Sequence, residues 1–381
     1  MKNDIIIVGG GASALMLAAL LPKNRAIVLE SNTKLAAKVH ISGGGKCNIT
    51  NMQMGTAYYL GDASFVKPVL KQFDEKSLLQ WLERQGLSVE VRKKSQYFCK
   101  NSAKDLVNLL SHASKHQTIK CNEKVIEVTK KEGIFSVQTE SQTYRASKVV
   151  VASGGLSFPL LGASGIGYEI AKTFGHTIVN TAPALVGFTV QKEQFFFKTL
   201  SGLSTDVTIT VEKERCTGAM LFTHKGLSGP AVLDASLYWK KGKITIDFLG
   251  DFSLKAVEGS RKQISSLLPL PKRLTKAFLV ELGLKDKAYR DFTQEERAIL
   301  GTLNAYTFAP AGTFGYTKAE VTKGGVETSE VDAQTMMSKK EEGLYFLGEV
   351  LDVTGRLGGY NFQWAFSSAY CCAKAIKKGK E

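Results

Sequence analysis

The chain has 381 residues, 44% of them hydrophobic, and carries a formal net charge of +15. That length and apolar content suffice for two or three packed domains and exclude a disordered tract or a short-period repeat array. Six cysteines (Cys47, Cys99, Cys121, Cys216, Cys371 and Cys372) show no C-x-x-C pair and no metal-ligand spacing to the five histidines, which argues against structural zinc, any other metal centre and a secreted disulfide framework.

The apolar run Asp4-Ile5-Ile6-Ile7-Val8 leads into Gly9, Gly10 and Gly11, a helical stretch from Ala12 to Leu21, and a second apolar run, Ala26 to Leu29, that ends in Glu30. This pattern predicts a dinucleotide-binding βαβ unit. Gly9 serves the tight turn, Gly11 lets the backbone approach a pyrophosphate, and small Ala14 lets helix and strand pack closely. The phosphates then sit on the helix start at Ala12 and Ser13. Glu30, about twenty residues beyond Gly9, is placed to accept hydrogen bonds from the adenosine ribose. A signal or membrane segment over Ile5 to Leu21 conflicts with Asp4 beside Lys2 in the flank, with the three glycines and with Pro22. A cytoplasmic protein without membrane insertion is expected.

A polar loop is expected from Lys38 to Asn51. Ser42, Gly43, Gly44, Gly45, Lys46, Cys47 and Asn48 offer unobstructed backbone N–H groups to a flat or anionic ligand. Gly45-Lys46 is not a P-loop, because His40 stands where glycine is required and Cys47 where serine or threonine is. No second cysteine lies within four or five residues of Cys47, so it reads as a small packing residue rather than a redox centre.

Helical periodicity runs from about Ser64 to Gly86, with Leu78, Leu79, Trp81 and Leu82 on the buried face and Gly86 as C-cap, and again from Ala103 to Lys115. Thr118 to Cys121 reads as a sheet strand, followed by alternating strands near Lys124 to Lys130, Gly133 to Thr139 and Gln142 to Arg145, and by the apolar strand Lys148 to Ala152. A meander inserted in a Rossmann unit is the plan of an α/β FAD domain of the glutathione-reductase kind. From Phe188 the texture changes to short strands (Phe188 to Val190, Val207 to Val211, Met220 to Phe222, Lys243 to Leu249), which suggest a small barrel or sandwich. Helical stretches follow at Leu254 to Leu268, Lys272 to Leu282 and Gln294 to Leu303, before Gly343 to Gly348 and a helix from about Phe362 to Lys378 return to the first domain. The expected division is an FAD domain over 1–187 and 326–381, a β-barrel over 188–252 with return strands over 306–325, and a helical subdomain over 253–305.

The positive charge is dispersed, with small clusters at Arg92-Lys93-Lys94, Lys130-Lys131, Lys240-Lys241 and Lys377-Lys378-Gly379-Lys380, and no aromatic-interleaved RNA-binding motif accompanies them. A solvated basic surface accounts for them. No Gly-x-Ser-x-Gly elbow and no paired carboxylates at helical spacing support a hydrolase.

Five blocks carry a family likeness: Ile41 to Asn51, Ala152-Ser153-Gly154-Gly155-Leu156-Ser157-Phe158-Pro159, Gly162 to Tyr168, Phe222 to Pro230, and Gly348-Glu349-Val350-Leu351-Asp352. In this order and over nearly its whole length, the chain resembles the BaiN-like bacterial NAD(P)/FAD-dependent oxidoreductases, which include aminoacetone-oxidase-like flavoproteins. The resemblance implies a discontinuous FAD domain with an inserted β-barrel and helical subdomain. It also implies hydride transfer at flavin N5 between NAD(P)H or a small organic donor and an acceptor or oxygen. Gly9, Gly11 and Ala14 would hold the pyrophosphate and Glu30 the ribose. Val125 would offer its backbone to the adenine, and Ala152, Ser153, Gly154 and Gly155 would pass close to the cofactor. Gly348, Glu349 and Asp352 would face the ribityl-phosphate part, and Gly358-Gly359-Tyr360-Asn361-Phe362 would start the helix whose N-terminus faces the flavin. Lys38 and the loop from Ser42 to Asn48 complete the implied FAD site.

Ser164-Gly165-Ile166-Gly167, Ala219 and Leu357 depart from the family pattern and point to a different substrate pocket. His224, inside a family block, is either a proton donor near the flavin or, as the stronger reading, a buried histidine that satisfies a barrel turn. No second nucleotide fingerprint is present, so NAD(P)H would bind only transiently as reductant. A small-molecule substrate with no specific nucleic-acid partner is expected. An RNA-associated flavoprotein akin to FAD-dependent tRNA-modifying enzymes, motivated by the +15 charge, and a non-enzymatic flavin-binding regulator are the alternatives. The sequence does not fix an oligomeric state.

Overall fold

The computed structural model describes residues 4–93 and 95–378, so Lys2, Lys94, Gly379 and Lys380 lie outside the described residues. The chain divides into two compact units: one runs to Pro183 and resumes at Glu320, and the other comprises Ala184–Ala319.

Five parallel strands form the main sheet of the first unit, in the order Leu344–Phe346, Lys148–Val151, Ile5–Val8, Ala26–Leu29, Thr118–Lys120. Ile5, Ile6 and Ile7 have no exposed surface, as expected of a central parallel strand covered on both faces. The covering helix, Ala12–Leu20, is buried from Ser13 through Ala18 and packs against Tyr360–Lys378 and Ala103–Ser114. Its apolar residues therefore surround it rather than forming a stripe. An antiparallel meander, Val125–Lys131, Ile134–Thr139 and Thr143–Ala146, fills the connection between two strands of the sheet.

Two stretches differ from the sequence expectation. Lys38 to Asn51 is not a plain loop: a short helix, Ala37–Ile41, a glycine turn, Ser42–Gly45, and a strand, Asn48–Asn51, follow one another. That strand pairs with Gln96–Cys99, which pairs with Val89–Arg92. Its alternation was hidden because asparagines flank Ile49 and Thr50. The stretch Ser64 to Gly86 is two helices, Ala63–Gln72 and Glu75–Arg84, each started by an aspartate whose carboxylate accepts a backbone N–H: Asp62 from Ser64, Asp74 from Ser77.

The second unit holds a seven-stranded antiparallel sheet in the order Tyr306–Phe308, Ile244–Asp247, Ser204–Val211, Glu214–Thr223, Gly226–Ser228, Phe188–Thr189, Gly312–Thr313. Its two edge strands, Tyr306–Phe308 and Gly312–Thr313, are separated in the chain only by residues 309–311, so the sheet must curl until its edges meet. The expected return strands over 306–325 end sooner. Val321–Val326 instead pairs with Ile178–Ala184, and residues beyond Ala319 belong to the first unit. Helices form at Lys272–Glu281 and Gln294–Gly301, but Leu254 to Leu268 yields only the short turns Leu254–Val257 and Ile264–Ser266. There the backbone bonds outward instead of along a helix: Ile264 N–H donates to Lys287 O, Tyr289 N–H to Lys262 O and Arg290 N–H to Ser260 O. Among the described residues, no helix is long and apolar enough to cross a membrane.

Candidate dinucleotide site

The first glycine turn is built by crowding on one side and open space on the other. Gly9 sits at φ +102°, and a Cβ there would lie 2.6 Å from the carbonyl oxygen of Ala152. The fingerprint loop and the loop after Lys148–Val151 thus touch backbone to backbone. Gly10 is equally constrained: a Cβ would come within 2.8 Å of the Leu35 side chain and 2.9 Å of Glu30 Oε2. At Gly11 the opposite holds, because a Cβ would meet no atom within 4 Å. Gly11 is the N-cap of Ala12–Leu20 and no side chain caps that helix, so the N–H groups of its first turn remain available. Gly154 likewise faces open space. An open cradle beside uncapped N–H groups fits the pyrophosphate of FAD.

Glu30 is 8% exposed. Its Oε2 accepts the Gly10 N–H at 2.7 Å, and its Oε1 accepts both the backbone N–H (2.8 Å) and Nδ2 (2.9 Å) of Asn32. An ionised carboxylate has about four acceptor positions, so Oε2 keeps capacity for a ribose hydroxyl. The Glu123 N–H donates to Glu30 O at 2.9 Å, which sets the start of the meander, with buried Val125, beside the ribose position.

The loop after Ala37–Ile41 turns through three consecutive left-handed glycines, Gly43, Gly44 and Gly45, with φ of 56°, 64° and 83°, and after right-handed Lys46 it turns again at Cys47, φ 46°. Such a run needs glycine at most positions and turns successive N–H groups to one side, as anion-binding nests do. Ser42 Oγ donates to Val39 O at 2.7 Å. Lys46 Nζ donates to Asn101 O at 2.6 Å and so pins the loop rather than reaching for a ligand. Cys47 is fully buried beside Cys99; burial pushes its thiol well above the ordinary range, and the hydrogen bond from Cys47 draws Cys99 down. A thiol held protonated agrees with a packing role. Asn48 Nδ2 donates to Gln96 Oε1 at 2.7 Å while its Oδ1 is buried with no partner.

The later segments meet at a residue the sequence reading missed. Thr322 Oγ1 accepts the N–H groups of Leu156 (2.8 Å) and Ser157 (3.2 Å), while its own N–H donates to Glu349 Oε1 at 2.9 Å. Glu349 Oε2 pairs with Lys38 Nζ at 2.6 Å. A Cβ on Gly155 would strike Thr322 Oγ1 at 2.6 Å, so Gly155 is fixed by this junction. Gly348 donates its N–H to Ser368 Oγ and lies against Ser13. Ser153 Oγ is buried without a partner. The Asp352 carboxyl is raised by its burial and by Glu327. No sequence signal distinguishes Thr322 or Gly10; Thr322 lies in a plain strand, and Gly10 is the unspecified position of the fingerprint.

Gly359, at the start of Tyr360–Lys378, packs against the Thr50 backbone, and a Cβ would come within 2.7 Å of it. Tyr360 stacks on Tyr58 with ring centroids 4.8 Å apart, and Asn361 exchanges two hydrogen bonds with Gly355, so these two side chains shape the helix start. Phe362 is half-buried and stacks on Phe366. His224 lies in the other unit. It is exposed in the turn between Glu214–Thr223 and Gly226–Ser228, which corrects the expectation of a buried histidine. Thr223 closes that turn instead, accepting the N–H groups of Lys225 and Gly226 and donating to Gly226 O.

The family model described as the HI0933-like protein Rossmann domain matches residues 3–375. The chain is 36% identical to the ribosomal RNA dihydrouridine synthase of Escherichia coli K12, over 100% of this chain and 99% of the relative. It is 37% identical to the protein of the same name from Haemophilus influenzae, over 99% of each. The 3-dehydro-bile acid delta(4,6)-reductase of Clostridium scindens is 30% identical over 98% of each chain. Among solved structures, the E. coli quinol fumarate reductase FrdA shares the fold at a TM-score of 0.54 and 13% identity, covering 100% of this chain and 71% of that one. The fingerprint, the parallel sheet and the full-length matches lead to one conclusion: the protein belongs to the HI0933-like Rossmann family, which includes the BaiN-like oxidoreductases, and has a flavoprotein-type oxidoreductase fold.

Proposed function

We propose that the protein is an FAD-dependent reductase that saturates the C5=C6 bond of uridine in ribosomal RNA, with NAD(P)H as transient reductant. The observation that carries this reading is identity of 36–37% along the whole chain to two proteins named ribosomal RNA dihydrouridine synthase. The third relative is named for reduction at the delta(4,6) positions of a 3-dehydro-bile acid. Both names describe reduction of a carbon–carbon double bond conjugated with a carbonyl. That bond takes a hydride at the carbon remote from the carbonyl and a proton at the nearer one. When bound, FAD supplies the two-electron hydride chemistry.

The chain's own residues do the rest. The N–H groups at the start of Ala12–Leu20, with open space at Gly11, bind the pyrophosphate, and Glu30 orients the adenosine ribose. The Lys38–Glu349–Thr322 junction holds the loops of Gly155 and Gly348 in place. In this reading RNA stands in place of the small-molecule substrate expected from the sequence, which the bile-acid reductase relative still favours, and the net charge of +15 suits a polyanion.

The test is to incubate purified protein, FAD and NADPH with unmodified ribosomal RNA and to weigh the released nucleosides. A uridine heavier by two hydrogens at one RNA position is the expected result. Unchanged RNA, together with reduction of a 3-oxo-4,6-diene steroid, would replace this reading with a small-molecule one.

A further inference from the structure

The basic residues are dispersed along the sequence, yet one face of the second unit gathers several of them without acidic partners. On helix Lys272–Glu281 the exposed positions are Lys272, Arg273, Lys276, Val280 and Glu281, while Leu274, Thr275, Phe278 and Leu279 are buried. The turn that precedes strand Ser204–Val211 packs on this helix: Phe196 and Phe197 lie edge-on to Phe278, and an Arg273 Nη2 donates to the Thr199 carbonyl. That contact brings Lys198 beside the helical cations. Lys198 Nζ lies 3.6 Å over the ring of Phe195, which is 46% exposed, and Val280 is 82% exposed.

Among the described residues, Lys198, Lys272, Arg273 and Lys276 form no ion pair. Three other cations of the same unit are paired: Lys287 with Glu296 at 2.8 Å, Arg290 with Asp291 at 3.4 Å and Arg297 with Glu258 at 3.7 Å. Glu193 and Glu281 are the acidic residues on these two segments. Lys272 and Arg273 lie four and three residues before Lys276 on one helix, so the like charges repel and the arrangement costs local stability. A surface that bears this cost and also exposes an aromatic ring matches single-stranded RNA, whose phosphates take the cations and whose bases stack on aromatic faces.

We infer that Lys198, Phe195, Lys272, Arg273 and Lys276 form the surface on which the protein docks ribosomal RNA. The inference rests on the substrate class assigned above but concerns a face of the second unit, apart from the nucleotide fold.

Two triple variants of the full-length, FAD-loaded protein test it. K272Q/R273Q/K276Q removes three cations from this face; K240Q/K241Q/K243Q removes three exposed cations elsewhere in the same unit and changes net charge equally. Binding of a ribosomal RNA fragment is measured across a salt series, with thermal midpoints as the check on folding. At physiological salt, affinity should fall at least tenfold for the first variant and less than twofold for the second. The plot of log affinity against log salt should flatten by about 2 for the first, at roughly 0.7 per lost single-strand phosphate contact. A third variant, F195A, should lose affinity without any change in that slope. Equal losses in both triple variants, or none in the first, would overturn the surface. Uridine reduction by the wild type is scored separately: RNA reduced with the first variant binding normally sinks only the surface, and RNA bound through this face but never reduced sinks only the catalytic reading.

Discussion

Helices Ala12–Leu20 and Lys272–Glu281 begin alike, without a side-chain cap and without an acidic residue in the first turn. Two other helices are capped fully: Ser102 with Asp105, and Thr293 with Glu296, form reciprocal capping boxes. The two uncapped starts then diverge. The first is bare, with Gly11 followed by Ala12 and Ser13, and suits a ligand that must reach the backbone itself. The second carries Lys272 and Arg273 on long stems, suited to a polyanion held at the distance of a side chain. Short-range recognition therefore removes side chains, and long-range recognition adds them.

The largest expected effect tests the bare start. Gly11→Val places a branched side chain in the open cradle, so purified protein should lose its flavin, read as the absence of the yellow chromophore, while keeping its thermal midpoint. Gly10→Ala is the contrasting change one residue earlier. Its methyl group meets Leu35 and Glu30, and it should destabilise the fold by about 1–3 kcal/mol in denaturant titration. A Gly11 variant destabilised by that much, or a Gly10 variant with unchanged stability, would break the distinction between ligand space and packing space.

Smaller effects sharpen the second start. Thr293→Ala, which removes a complete capping box, should cost about 1 kcal/mol. Lys272→Asp should act in the opposite sense, stabilising by about 0.5 kcal/mol because an acid at a helix start suits the dipole. RNA retention should nevertheless fall, so stability and binding move apart; a charge that served the fold alone would lower stability and leave binding unchanged.

The pH dependence completes the series. His176 is buried; its Nε2 lies 2.7 Å from Ser338 Oγ, and burial holds the imidazole below its usual 6.5. Glu330 is raised by burial, but the hydrogen bonds from Lys340 and Thr177 prevail and bring it from 4.5 to about 2. Both groups take up protons less readily folded than unfolded, so both contributions fade on acidification. His176 contributes fully above 6.5 and less as pH falls below it, and Glu330 is lost from 4.5 towards 2. Thermal midpoints of wild type and His176→Gln should therefore converge as pH falls below 6.5.

Legibility followed how local each signal was. The strand Ile5–Val8 and the glycine turn were readable because each needs a residue type dictated by its own backbone, and Glu30 because it follows the second strand, where its carboxylate accepts the Gly10 N–H. The meander was readable from alternation. Strand Asn48–Asn51 was not, because its burial comes from Gln96–Cys99, some fifty residues away, and its polar ends resemble a loop. Leu254 to Leu268 has helical periodicity, but its N–H and C=O groups find partners near Lys287 to Arg290, and tertiary pairing overrides propensity. The same limit hid Thr322 and Gly10, whose roles lie in contacts with Glu349 and Glu30. The basic face looked dispersed because Lys198 and Arg273 are far apart in sequence.

The pairing of Ile178–Ala184 with Val321–Val326 brackets the second unit, and it has a consequence for synthesis. The edge strand Leu344–Phe346 leaves the ribosome after every residue of Ala184–Ala319. At roughly 5–20 residues per second, the guest has a head start of a second or more before its host's sheet can close. During that interval the nascent host shows the unpaired side of Lys148–Val151. A pause engineered after Ala319 would prolong that exposure and demand more chaperone, whereas the same pause before Lys148 would not.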